Sequence, residues 1–216
     1  MILKKAFSYL WPLTKKIKSD FSGELEVTWL NGKKVLDTKN ANYSYGALHQ
    51  ILDLALQKTQ ADRGGHTLVL GLGGGSVLQL LRKKFNFYGK ITAVELDSKV
   101  IEIAKKEFNI QQYQPLEVIC EDAEKFVKQN DQKFDTVIVD LFIDIYVPEQ
   151  FYQVEFWRDL ARLLQPKATV IFNAGIGENQ QVKINQLQQK IKSTILFEKI
   201  ENVKGTNTLL LGNKIL

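Results

Sequence analysis

The chain predicts an α/β fold built on a mostly parallel sheet, and three observations carry the prediction. Short apolar β-type runs alternate with helical patterns between residues 67 and 192, an order that right-handed crossovers turn into a parallel sheet covered on both faces. The first run, TLVLGLGGGS at 67–76, breaks into Gly71, Gly73, Gly74 and Gly75 before a helix-like stretch from Val77 to Phe85. Nineteen residues beyond Ser76, a second run ends in Glu95. A dinucleotide-type site places there the carboxylate that accepts hydrogen bonds from ribose hydroxyls. Strand, glycine loop, helix, strand and acid in that order propose a nucleoside-cofactor site, whereas the glycines alone would require only a turn with positive φ.

The elements follow in order. ELEVTWLNGKKVLDT at 24–38 holds two β-type runs separated by Asn31-Gly32, the dipeptide suited to a two-residue type I′ turn, and reads as a hairpin. Leu48, Ile51, Leu52, Ala55 and Leu56 recur at helical spacing within 43–58, and Arg63-Gly64-Gly65 marks a turn. Strands are expected at 67–71, 90–95, 116–120 and 134–140, with helices at 75–85, 98–107 and 122–129 between them. Pro148 opens a helix to about 164, 168–173 is a further strand and 178–192 a further helix. The last two runs, 194–200 and 207–212, are joined by a link too short for a crossover helix, so they should pair antiparallel. The expected division is an appendage at 1–42 and a Rossmann-like domain at 43–216.

With 216 residues, 44% of them apolar, the chain suffices for one large domain with a small appendage. Its single cysteine, Cys120, cannot form an internal disulfide, and no leader of signal-peptide type is read at the start. A reduced, cytoplasmic protein is expected. No apolar run reaches the length of a membrane span. The net charge of +5 comes from lysines scattered over several helices, which reads as a solvated surface rather than a nucleic-acid site. Two histidines and one cysteine make a dedicated transition-metal site unexpected. The stretch MILKKAFSYLWPLTKKIKSD mixes lysines with Ile2, Leu3, Phe7, Leu10 and Trp11. It suits a short helix, stopped near Pro12, that packs on the body or a second subunit; the alternative is a segment lying on a membrane surface.

A parallel sheet ending in an antiparallel hairpin resembles the class I S-adenosylmethionine (AdoMet) methyltransferase fold, with its seven-stranded order 3-2-1-4-5-7-6 and, here, a small N-terminal β-hairpin. Four segments carry the resemblance: LGLGGGS after the first strand, AVELD after the second, EDAEKF after the third and FDTVIVDLF at the fourth. Within that fold they look most like spermidine synthase and its relatives, as does VPEQFYQVEFWRDLARLLQPKATVIFNAG. Tyr43 and His49 stand six apart after the hairpin, as a Tyr and a His do in that family.

The resemblance implies AdoMet or decarboxylated AdoMet as cofactor, a small-molecule acceptor, and a homodimer paired through N-terminal hairpins. Gly71, Gly73, Gly74 and Gly75 would turn the loop under the methionine part, Glu95 would hold the ribose, and Asp122 would accept from the adenine amino group while Ala123 leaves room for the ring. Tyr43 and His49 would line the same pocket. Asp140, at the carboxyl end of the fourth strand, would serve as general base or amine anchor. Each has a plainer reading. Asp122 opens a helix and suits an N-cap, as does Asp97; His49 suits a packed residue; Phe142, Tyr146 and Trp157 suit either an aromatic wall or the core. Cys120 reads as a buried strand residue and His66 as structural.

The chain also departs from the family. GGGSV stands where spermidine synthases carry GGGDG, DLFID where they carry DSSDP, and Lys39-Asn40 where they carry an acidic pair. Polyamines are multiply charged and need several converging carboxylates. The leading expectation is therefore an AdoMet-dependent transferase moving a methyl group. The alternatives are aminopropyl transfer with a displaced acidic set (Asp140, Asp144, Glu149) and a non-catalytic AdoMet-binding or assembly module.

Overall fold

The computed structural model describes residues 2–40, 46–59, 63–176 and 180–215. Two sheets organise them. The smaller is antiparallel, β1 (Leu13–Lys18), β2 (Glu24–Leu30) and β3 (Lys33–Asp37), in the order β1-β2-β3. Asn31 and Gly32 join β2 to β3 with φ of 48° and 73°, the two positive values a type I′ turn demands. The expected hairpin thus acquires a third strand. Its sequence, LTKKIK, is lysine-rich and mostly exposed, so it lacks the apolar face that marks a strand in sequence.

Before it, α1 (Ile2–Phe7) is short. The following turn packs on the hairpin tip, where Asn31 N donates to Ser8 O and Gly32 N to Ser8 Oγ. Leu3, Phe7, Leu10 and Trp11 do not pack on the body of this single chain but stay exposed.

The larger sheet has seven strands in the order β6-β5-β4-β7-β8-β10-β9: β4 (Thr67–Leu70), β5 (Ile91–Glu95), β6 (Leu116–Cys120), β7 (Phe134–Val139), β8 (Leu164–Ile176), β9 (Ile195–Val203) and β10 (Asn207–Lys214). Numbered within this sheet, that is the expected 3-2-1-4-5-7-6. β10 alone runs antiparallel to its neighbours β8 and β9, because β9 returns through a tight turn. All four residues of β4 are buried, as a central strand covered on both faces requires.

Helices α2 (Gly46–Lys58), α3 (Ser76–Gln79, continued by a π-helical turn Leu80–Lys84) and α4 (Ser98–Phe108) pack with one side of the sheet. On the other side lie α5 (Ala123–Gln129), α6 (Val154–Leu163) and α7 (Gln181–Ile191). The helix expected from Pro148 is broken: a 3₁₀ turn at Glu149–Tyr152 precedes α6, with extended Gln153 between them. Trp157 belongs to the core, 1% exposed, between Phe156, Phe172 and Phe197, with its Nε1 donating to Phe151 O. It is not part of a substrate wall. Cys120, expected to be buried, is exposed, because β6 is an edge strand paired only with β5.

Candidate functional site

A cleft of about 300 Å³ opens at the carboxyl ends of β4, β5 and β7, where parallel sheets place their ligands. The glycine loop forms its floor. Gly71 has φ of +93°, and a Cβ there would lie 2.1 Å from the Asp140 carbonyl oxygen, so only glycine lets β4 and β7 approach this closely. Gly73 also lines the cleft. Gly74 and Gly75, expected to touch a ligand, do not line it: both are buried, and Gly75 (φ +81°) sets the start of α3 against Ile110.

Glu95 faces this loop. Its Oε2 accepts from Leu72 N at 3.1 Å and Gly73 N at 3.2 Å, and its Oε1 accepts from Asp97 N at 3.1 Å. Burial pushes its carboxyl above the usual range, and the three backbone N–H groups oppose that shift. They also fix both oxygens: Oε2 uses both of its lone pairs, and Oε1 keeps one for a ribose hydroxyl. Asp97 caps α4 by accepting from Lys99 N, as expected, and has a second task that sequence reasoning missed. Its Oδ2 accepts from Ser19 Oγ and, at 2.9 Å, Ser22 Oγ. That pair docks the β1–β2 turn on the site, and Phe21 and Ser22 become part of the cleft wall.

Asp122 caps α5 by accepting from Lys125 N at 2.9 Å, as its plainer reading expects, and also lines the cleft beside Ala123. Asp140 closes the far side. It retains partial exposure through the cleft, yet the surrounding protein desolvates its carboxyl and raises its pKa to about 6; Asn173, donating Nδ2 to Oδ1 at 2.9 Å, opposes the rise, and the charge of Glu95 adds to it. A carboxylate poised near 6 is suited to accept a proton at neutral pH.

The loop after β7 folds over the cleft. Ile143 and Tyr146 pair with each other, and Asp144, at φ +53°, accepts from Thr38 Oγ1 at 2.7 Å and Asn40 Nδ2 at 2.8 Å. Phe142 lines the cleft from this loop, with Phe21 and Phe151, whereas Tyr146 points to solvent, 63% exposed. Glu149 pairs with Lys183 and does not line the cleft.

His49 is not brought to this site. It lies in a separate groove with Trp29, Lys33 and Lys84, because on α2 it is the faces of Leu48, Ile51 and Leu52 that turn toward the cleft. Tyr43 lies outside the described residues. Sequence spacing also missed Asn173, Thr206 and Asn207, which line the cleft from β8 and from the turn into β10. The antiparallel pairing of these strands brings them there, and no local pattern marks it.

Comparison with known proteins shows the family and the fold. Residues 50–202 match the family model described as spermine/spermidine synthase domain. Polyamine aminopropyltransferase 2 of Aquifex aeolicus (strain VF5) is 38% identical over 117 residues, which are 50% of this chain and 23% of that protein. The chain thus spans about a quarter of that relative's length. Among solved structures, a probable spermidine synthase from Corynebacterium glutamicum ATCC 13032 superposes with a TM-score of 0.65 at 16% identity, covering 94% of this chain and 77% of the other. Human methyltransferase-like protein 13 in complex with SAH gives 0.61 at 21% identity, covering 80% and 83%. At these identities the two structures support the fold.

Proposed function

The chain belongs to the spermine/spermidine synthase domain family, and from that premise we propose that it transfers an aminopropyl group from decarboxylated AdoMet to an amine. The observation that carries this reading is the charge of the cleft. Glu95, Asp97, Asp122, Asp140 and Asp144 line it, and among the described residues no Lys, Arg or His does. Decarboxylated AdoMet carries two positive charges, on sulfonium and ammonium, and no carboxylate. AdoMet adds a carboxylate that would face these acids without a cationic partner, and like-charge juxtaposition costs several kcal/mol. The loop N–H groups of Leu72 and Gly73 are committed to Glu95. The acids absent from the family positions in sequence are thus partly replaced by others, and the leading expectation of methyl transfer gives way to its alternative.

The residues suit such a ligand. Glu95 presents a fixed Oε1 to a ribose hydroxyl, Asp122 and small Ala123 flank room for an adenine, and Gly71 and Gly73 keep the loop low. In the reaction the acceptor nitrogen uses its lone pair to attack the carbon bound to sulfur. A C–N bond forms, the C–S bond breaks with its electron pair going to sulfur, and the proton displaced from nitrogen passes to Asp140. The protein aligns the nucleophile and takes that proton.

Methyl transfer keeps one specific observation in its favour: Ser76, buried in the cleft wall, stands where the family carries a loop aspartate. Calorimetric titration with each ligand separates the two readings. Decarboxylated AdoMet is expected to bind about tenfold or more tightly than AdoMet, a difference of at least ~1.4 kcal/mol; the reverse order would assign methyl transfer.

A further inference from the structure

Asp140 is tied to a chain of amides that reaches across two strands. Asn173 on β8 donates Nδ2 to Asp140 Oδ1 at 2.9 Å, Asn207 at the start of β10 donates Nδ2 to Asn173 Oδ1 at 2.9 Å, and Thr206 Oγ1 donates to Asn207 Oδ1 at 2.7 Å. Asn173 is 0% exposed and Asn207 5% exposed. Two amides this deep are costly unless their hydrogen bonds are made, and here each serves the next.

The strand geometry is arranged for this contact. Register between β10 and β8 shifts between Asn207 and Leu209: Leu209 stands opposite Asn173, while Asn207 stands opposite Ile176. The same irregularity interrupts pairing of β10 with β9. An irregularity of this kind re-aims a side chain and ends regular pairing, and here Asn207 reaches Asn173 although their backbones are not paired.

We propose that Asn173 and Asn207 are positioning residues that hold the Asp140 carboxylate, in its ionised form, against the acceptor amine. The inference rests on the reading of Asp140 as the base. An ionised carboxylate demands a donor from Asn173, so the Asn173 oxygen must face Asn207, which in turn must present its own donor. Turning either amide around sets oxygen against oxygen at one of the two contacts. As they stand, the two amides point the positive ends of their dipoles at the Asp140 carboxylate and stabilise its charged form, opposing the desolvation that favours the neutral acid. With Oδ1 engaged by Asn173, Oδ2 is left for the acceptor nitrogen.

The test is a titration of the Asp140 side-chain carboxyl by carbon NMR in the ligand-free protein, with Asp140→Asn identifying the signal. Asn173→Leu, which keeps the branched heavy-atom skeleton and removes the donor, is expected to raise the Asp140 midpoint by about one pH unit or more. Asn207→Leu, which leaves the Asp140 contact in place but frees the Asn173 amide, should raise it by less. Should Asn173→Leu not fold, the Asn207→Leu shift decides alone. A midpoint unmoved in the folded variants would overturn the proposal. Because the titration needs no substrate, its outcome is independent of the ligand-binding comparison that tests aminopropyl transfer. In assays of transfer, the same variants should lose kcat at neutral pH by about tenfold with KM for the nucleoside ligand little changed, and move the acid limb of the rate profile upward with the NMR midpoint.

Discussion

Gly71 and Asp140 meet backbone to backbone: a Cβ on Gly71 would stand 2.1 Å from the Asp140 carbonyl oxygen. Asp140 N in turn donates to Leu70 O at 2.9 Å. The glycine loop and the candidate base are thus one rigid junction between β4 and β7. Gly71→Ala adds a collision to a φ of +93°, and the two must separate for it to fold. The expected loss is about 2 kcal/mol or more, read as a lower urea midpoint with unchanged slope. A midpoint equal to that of the unaltered protein would mean that the junction yields cheaply and does not set the position of Asp140.

Glu95→Gln tests the ribose assignment. The substitution keeps size and replaces one acceptor oxygen by a donor that must face either the Leu72 and Gly73 N–H pair or the Asp97 N–H. Binding of the nucleoside ligand should weaken by about 1 to 3 kcal/mol, measured calorimetrically. Unchanged affinity would remove Glu95 from the ribose site.

Asp140 makes a prediction in which activity and stability move oppositely. With its pKa raised to about 6, chiefly by desolvation, it is an effective base only above that pH, so kcat/KM should fall as pH drops through 6. Asp140→Asn should reduce kcat by about 10² to 10⁴ and abolish that limb. The raised pKa also means that the folded state binds the proton more tightly than the unfolded chain. Its stability contribution is complete below the unfolded pKa and is lost as pH rises through 6. At pH 7 the charged group is a burden, and Asp140→Asn should stabilise the fold by about 1 to 3 kcal/mol, an effect that should vanish near pH 4. Denaturant titrations at the two pH values check the sign.

What the sequence disclosed follows the range of the interactions involved. The parallel sheet and its closing antiparallel hairpin were legible because β4, β5, β6 and β7 are each apolar and bounded by loops and the link between β9 and β10 is too short for a crossover, whereas the strand order came from the family resemblance. Glu95, Asp122 and Asp140 were legible because each ends a strand or opens a helix at the sheet's carboxyl edge, a position that sequence spacing reports. β1 was not, since its stability comes from pairing with β2 and not from an apolar face. His49 misled because helical phase decides which side of α2 meets the cleft, and a spacing of six does not specify phase. The Asn173–Asn207 contact depends on a shift of register between two strands 34 residues apart in sequence, and a single sequence carries no sign of it.

The tie between Asp144 and the small sheet sets how the cleft is covered. Thr38 and Asn40 both donate to the Asp144 carboxylate, in that order holding its pKa below the usual range, and these contacts fasten the loop after β7 to the end of β3. Asp144→Ala leaves the other cleft acids in place, so it should raise KM for the nucleoside ligand about 3- to 10-fold with kcat much less affected, and should speed proteolysis within 141–147. The sign of the pH effect separates this group from Asp140. A depressed pKa gives a contribution present above the unfolded value and lost only as pH falls through the folded one, so between pH 5 and 8 the tie stays charged. KM should then be flat across the range in which kcat/KM follows Asp140. A KM that climbs as pH drops through 6, and does so equally in Asp144→Ala, would assign the coverage of the cleft to Asp140 and leave the Thr38–Asp144–Asn40 tie without a role in binding.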